Sequence, residues 1–122
     1  MLDSSPEAVG HARAWAAEFL THSVPDAPAA VADDVVLIVS ELVTNAILYG
    51  SEQGDSVTAV LDCEPGRVRI DVHDAVRRPP PGRGSRRADN RGRGLFIVAA
   101  LSSTWGLRSR SVGKTVWAEV TW

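Results

Sequence analysis

The stretch from Val31 to Gly50 constrains this chain more than any other, because its apolar residues recur at helical spacing around two polar groups. Val31, Val35, Ile38, Leu42 and Ala46 follow at steps of three and four, which predicts an amphipathic helix with one buried stripe. Glu41 and Asn45, within ELVTNAILYG, then share a second face of that helix. A carboxylate and a carboxamide one turn apart belong either to a solvated or internally bonded helix face or to a binding site. The rest of the chain has to decide between the two.

Around this helix the pattern reads helix, helix, strand, strand, long loop, helix, strand, strand. The first helix is expected to open at Ser5, with Pro6 at its first position and Glu7 near the positive end of the dipole, and to run to about Thr21. Val9, Ala12, Ala16, Phe19 and Leu20 form its inner stripe. SVPDAP breaks the chain before the second helix, and Gly50 is expected to stop that helix. Val57, Ala59, Leu61 and Cys63 alternate with polar residues, EPGR makes a turn, and Val68, Ile70 and Val72 alternate again. TWGLRSR and KTVWAEVTW, joined by SVG, read as two further strands. Three helices and four strands with hairpin connections predict an α/β two-layer sandwich, a mostly antiparallel sheet covered on one face by helices.

A length of 122 residues predicts one domain spanning the whole chain. Hydrophobic residues at 44%, charged residues at 23% and a net charge of −2 are ordinary for a globular protein and offer no global reason to bind nucleic acid. No apolar run approaches the ~20 residues of a membrane span, and the N-terminus lacks the order of a signal peptide, so a cytoplasmic protein is expected. The single cysteine, Cys63, has no internal disulfide partner, and no Cys/His cluster suggests zinc. The four tryptophans read as core and edge packing, and the three scattered histidines receive no catalytic role.

From Ala75 to Gly94 the chain runs AVRRPPPGRGSRRADNRGRG, too rich in proline, glycine and arginine for a regular element, and is expected to be a long loop. Its seven arginines, Arg77, Arg78, Arg83, Arg86, Arg87, Arg91 and Arg93, face one acid, Asp89. Such a run is either a solvated linker or an anion site. Gly92 and Gly94 lead into LFIVAALSS, which places unblocked N–H groups at an expected helix N-terminus beginning near Leu95. Just before the loop, RVRIDVHD ends in Asp74, a carboxylate able either to cap a turn or to accept a hydrogen bond from an amino group of a ligand. GKT at Gly113 to Thr115 is not a phosphate loop, because Arg108 stands where glycine is needed and a strand pattern follows.

In order, then, the chain offers Glu and Asn on a helix, Asp at a strand end, a Gly-x-Gly-Leu run and GKT entering the last strand. That set resembles the GHKL, or Bergerat-fold, ATPases of histidine kinases, gyrase B subunits, heat-shock chaperones and mismatch-repair proteins, most closely the small anti-sigma-factor serine/threonine kinases. ELVTNA, RGRGL and GKTVWAE carry the likeness, over roughly Ala32 to Val120. The resemblance implies the Bergerat ATP-binding fold, ATP and Mg2+ as ligands, and a sigma factor and an anti-sigma-factor antagonist as partners. By position it implies Asn45 as the magnesium-holding asparagine, Glu41 as catalytic base, Asp74 as the adenine-reading aspartate and Thr115 as its supporting threonine. Gly92, Gly94 and Leu95 correspond to the lid motif beside phosphate, with Arg91 and Arg93 adding charge. Lys114 is left open between a phosphate contact and solvent.

Three positions depart from the family pattern. Asp74 is followed by Ala75 and Val76 where Asp-x-Gly or Asp-x-Ser is usual, Tyr49 stands where histidine is frequent, and the N-terminal strand is expected to be missing. A sheet shortened in this way exposes an edge that favours pairing with another chain, a second copy included. Two function classes follow: a Mg-ATP-dependent kinase and regulator, or a non-catalytic protein-binding switch with a degenerate nucleotide pocket. A nucleic-acid binder built on the arginine loop is disfavoured by the acidic total and the absence of interleaved aromatics, and a membrane protein by the absence of a span.

Overall fold

The computed structural model describes residues 2–3, 7–49, 56–74, 86–109 and 113–122. Strand β1 (Leu2–Asp3) is followed by α1 (Glu7–Ser23), α2 (Ala29–Tyr49), β2 (Ser56–Glu64), β3 (Arg67–His73), α3 (Arg86–Leu101), β4 (Thr104–Ser109) and β5 (Lys114–Thr121). The five strands form one antiparallel sheet in the order β1-β2-β3-β5-β4. The predicted two-layer α/β sandwich is the fold observed. None of the helices among the described residues is long and apolar enough to cross a membrane.

Alternation decides which face of the sheet is covered. Val68, Ile70 and Val72 of β3 are buried and lie opposite Val120, Ala118 and Val116 of β5, so six apolar side chains point the same way. Leu61 and Val57 of β2 extend that layer. Upon it sits α2, which packs on β2, β3 and β5 through Val35, Ile38, Val39, Leu42, Val43 and Ala46. Alpha-helix α1 lies against α2 and β2 with Ala8, Ala12, Ala16 and Leu20 inward, a four-residue stripe of mostly small side chains. On the other flank α3 lies against α2 and β4.

Among the described residues the opposite face carries no helix and is held by charge. Arg69 stacks 4.5 Å from the centre of the Trp117 ring, Arg67 Nη1 donates to Glu119 Oε2 at 2.9 Å, and Arg69 Nε donates to Asp71 Oδ1 at 3.0 Å. Trp15, Trp105 and Trp122 are more than a third exposed, so these tryptophans pack at the periphery instead of in the core. The β2–β3 hairpin turns on Pro65-Gly66, with Gly66 at φ +82°, the left-handed conformation that a Pro-Gly type II turn requires.

Two expectations are corrected. A strand does precede the first helix: Leu2 and Asp3 pair with Val57 and Ser56, and two residues are too few for alternation to announce them. The second concerns the arginine segment. Alpha-helix α3 begins at Arg86, nine residues before the expected start near Leu95, so Arg86 to Gly94 is helix and not loop. Glycine and arginine weighed too heavily in that reading. A helical glycine costs only about 1 kcal/mol, and RRADNR contains no residue that breaks a helix. Ser5, Pro6, Gly50, Ala75, Val76, Arg77, Arg78 and Arg83 lie outside the described residues.

Candidate functional site

Glu41 and Asn45 lie one turn apart on α2 and meet α3 at Gly94. A Cβ added to Gly94 would lie 3.1 Å from Asn45 Nδ2, 3.2 Å from Asn45 Oδ1 and 3.2 Å from Glu41 Oε2. The absence of a side chain at Gly94 gives both polar groups close-fitting space between the helices. Asn45 is 5% exposed, Glu41 is half-buried, and the Nδ2 of Asn45 has no hydrogen-bond partner among the described residues. Leaving a buried amide donor unpaired costs about 1–3 kcal/mol, more than a packing role returns. A carboxamide of this kind suits a ligand: its oxygen is a hard donor for a cation and its nitrogen a donor to an anionic oxygen.

Gly92 and Gly94 do not stand at a helix N-terminus as the sequence led one to expect. Both are internal to α3, where amides serve the helix ladder, and the helix N-terminus lies at Arg86. Leu95, next to Gly94, is half-buried against the core, and Phe96 is exposed. Arg91 and Arg93 fall on α3 within one turn of Gly94.

The second part of the site is the end of β3. Asp74 continues the inward alternation of Val68, Ile70 and Val72 and is buried, 4% exposed. Its main-chain amide donates to Lys114 O at 3.0 Å, its Oδ1 accepts from the Lys114 amide at 3.0 Å, and its Oδ2 lies 4.0 Å from Lys114 Nζ. Gly113, at φ +77°, permits this: a Cβ there would collide with the carbonyl oxygen of Asp74 and sit 2.6 Å from its Oδ1. Chain order brings the two parts to one end of the sandwich. Six residues join Tyr49 to Ser56, and Thr58 pairs with His73, beside Asp74.

Thr115 is not at Asp74's side. It pairs directly with His73 across the ladder, its Oγ1 lies 2.6 Å from His73 Nδ1, and the two share the face opposite the core strip. Lys114 occupies the position on Asp74's face instead. The signal was present in the sequence: Val116, Ala118 and Val120 point inward, so by alternation position 114 does and position 115 does not. Among the described residues no group of three or more His, Cys, Asp or Glu side chains is placed to hold a metal.

Residues 2–120 match the histidine kinase-like ATPase domain family. The chain belongs to that family. No curated protein matches it. The crystal structure of the RsbU and RsbW domains of Rv1364c from Mycobacterium tuberculosis is similar, with a TM-score of 0.69 and 26% identity. The histidine kinase domain of a blue-light activated histidine kinase from Erythrobacter litoralis, at a TM-score of 0.54 and 20% identity, shares the fold. These likenesses cover 98% and 93% of this chain but only 30% and 60% of the other two. In this histidine kinase-like domain, then, the Glu41/Asn45/Gly94 crossing and the Asp74 to Lys114 junction each bring buried polar groups together.

Proposed function

We propose that the chain is a Mg2+-ATP-binding regulator of the anti-sigma-factor kinase type, which phosphorylates a serine or threonine of an antagonist protein and binds a sigma factor. The observation that carries this reading is the convergence of Glu41 and Asn45 on Gly94, with a buried carboxamide nitrogen that has no hydrogen-bond partner among the described residues. The likeness to a structure that includes an RsbW domain supports the same branch.

In this reading Asn45 would hold Mg2+ through its carboxamide oxygen, and the cation would offset the charge of the phosphates. Among the described residues no carboxylate cluster accompanies Asn45, so in this reading oxygens of the nucleotide complete the cation's shell. Glu41, one turn earlier, takes the proton from the attacking hydroxyl. Asp74 accepts a hydrogen bond from the base. Arg91 and Arg93, close to Gly94 in sequence, supply positive charge for the phosphates.

Glu41→Ala is the discriminating variant. It should retain Mg-ATP binding by calorimetry and lose phosphate transfer to the antagonist, whereas Asn45→Ala should lose Mg-dependent binding. A folded native protein that binds no Mg-ATP would overturn the reading. The second reading, a non-catalytic protein-binding switch, is favoured by one observation: the Asp74 side chain is 3% exposed and already engaged by Lys114. That reading expects no transfer before or after the Glu41 change.

A further inference from the structure

Strand β4 ends the sheet on one side. Among the described residues it pairs with β5 alone, so half of its main-chain N–H and C=O groups point outward. The opposite edge is the two-residue β1, too short to offer a ladder. Edges are ordinarily blunted by proline, by lysine or by a charge on the core face, and TWGLRS has none of these. Its register with β5 sets Trp105 beside Ala118 and Leu107 beside Val116, on the face that helices cover elsewhere in the sheet. Here the cover gives out: Leu107 is 57% and Trp105 36% exposed. Phe96, 76% exposed, lies about 200° round α3 from Gly94 and so points away from α2.

On the helix-free face the strand is shaped by Gly106. A Cβ there would lie 3.0 Å from the Trp117 ring, so the indole leans across the glycine. Antiparallel self-pairing about Gly106 suits both faces. It sets Trp105 of each copy opposite Leu107 of the other, two apolar cross-strand pairs on the uncovered face. A two-fold axis keeps both helix layers on that side, the side of Phe96. On the other face Thr104 comes opposite Arg108, which keeps the only charges of the strand apart, and the two glycines adjoin where the Trp117 rings lean in. Centring the pair on Leu107 would set Trp105 against Ser109, and centring it on Arg108 would set arginine against arginine.

We propose that β4 is a self-association edge, at which two copies of this chain pair antiparallel about Gly106 and join their two five-stranded sheets into one. The inference does not depend on the nucleotide reading.

The experiment is sedimentation equilibrium of the native chain and of Leu107→Lys, Val60→Lys and Leu48→Lys, with thermal melts to verify folding and amide hydrogen exchange read at low and high protein concentration. Val60, 43% exposed, lies on the helix-free face of β2, and Leu48, 55% exposed, on α2, so the two controls stand for the other open surfaces. The expected result is a reversible monomer–dimer equilibrium in the native chain. Leu107→Lys should weaken it at least about a hundredfold, because the change enters the interface twice, while both controls leave it unchanged. The β4 amides should exchange more slowly at high concentration in the native chain and not in Leu107→Lys. A native chain that stays monomeric up to about 0.5 mM overturns the inference. So does a dimer that survives Leu107→Lys, one that forms without added protection of β4, or one abolished by Val60→Lys or Leu48→Lys, since each places the contact elsewhere.

Discussion

Gly94 of α3 faces Asn45 of α2 at a separation that is tight for any side chain: an added Cβ would sit 3.1 Å from Asn45 Nδ2. The two helices could pack with an alanine at this position if the asparagine were small and apolar. They keep a glycine and a buried polar group instead, and the fold bears the cost of both.

Gly94→Ala should separate stability from binding. Alanine favours the helix by about 1 kcal/mol over glycine, while its methyl group crowds the tips of Asn45 and Glu41, so the change in folding free energy stays within about 1 kcal/mol. Mg-ATP affinity should fall at least about tenfold, because the methyl displaces the groups that meet the ligand. Urea denaturation and calorimetry on the same preparation check both halves.

Asn45→Leu, nearly equal in shape, should stabilise the ligand-free protein by about 1 kcal/mol, since a buried amide with no partner among the described residues is replaced by an apolar group. The same change should abolish Mg-dependent nucleotide binding. A melting temperature that rises while binding vanishes would mark Asn45 as kept for its ligand. A clear fall in stability would mean that the carboxamide is structural.

Gly113→Ala should be severely destabilising, by at least about 2 kcal/mol, because the residue sits at φ +77° and its Cβ would collide with Asp74. Gly10 offers the control. Nothing lies within 4 Å of a Cβ there and α1 is helical around it, so Gly10→Ala should be neutral or stabilising by up to about 1 kcal/mol. Chemical denaturation midpoints of the two variants give the comparison.

Cys63 supplies a pH dependence. Burial, and secondarily the Asp62 carboxylate, push its thiol above the ordinary value, so the folded chain keeps a proton that the unfolded chain releases. The associated stability is fully present below the ordinary thiol range and falls as pH rises through that range toward the raised value. Iodoacetamide should accordingly alkylate Cys63 more slowly in the folded protein than in urea at pH 8, with the rate climbing at higher pH. Equal rates in the two states would contradict the placement of this thiol against the core.

Local periodicity governs the part of this fold that is legible from residue order. The 3.6-residue repeat of Val35, Ile38, Leu42 and Ala46 and the two-residue repeat of Val68, Ile70 and Val72 dictate α2, β3 and a one-sided sheet, because each element has only one apolar face to bury. Glu41 and Asn45 were legible as a pair for the same reason. Tertiary structure alone decided what lies opposite them. No sequence spacing says that Gly94, 49 positions beyond Asn45, supplies the gap into which both side chains reach. The start of α3 at Arg86 also needed the packed molecule, since the glycines of this stretch are weak helix formers that α2 and β4 hold in place through the residues that follow. The exchange of Thr115 for Lys114 beside Asp74 came from strand register, which sets a face only once two strands are paired.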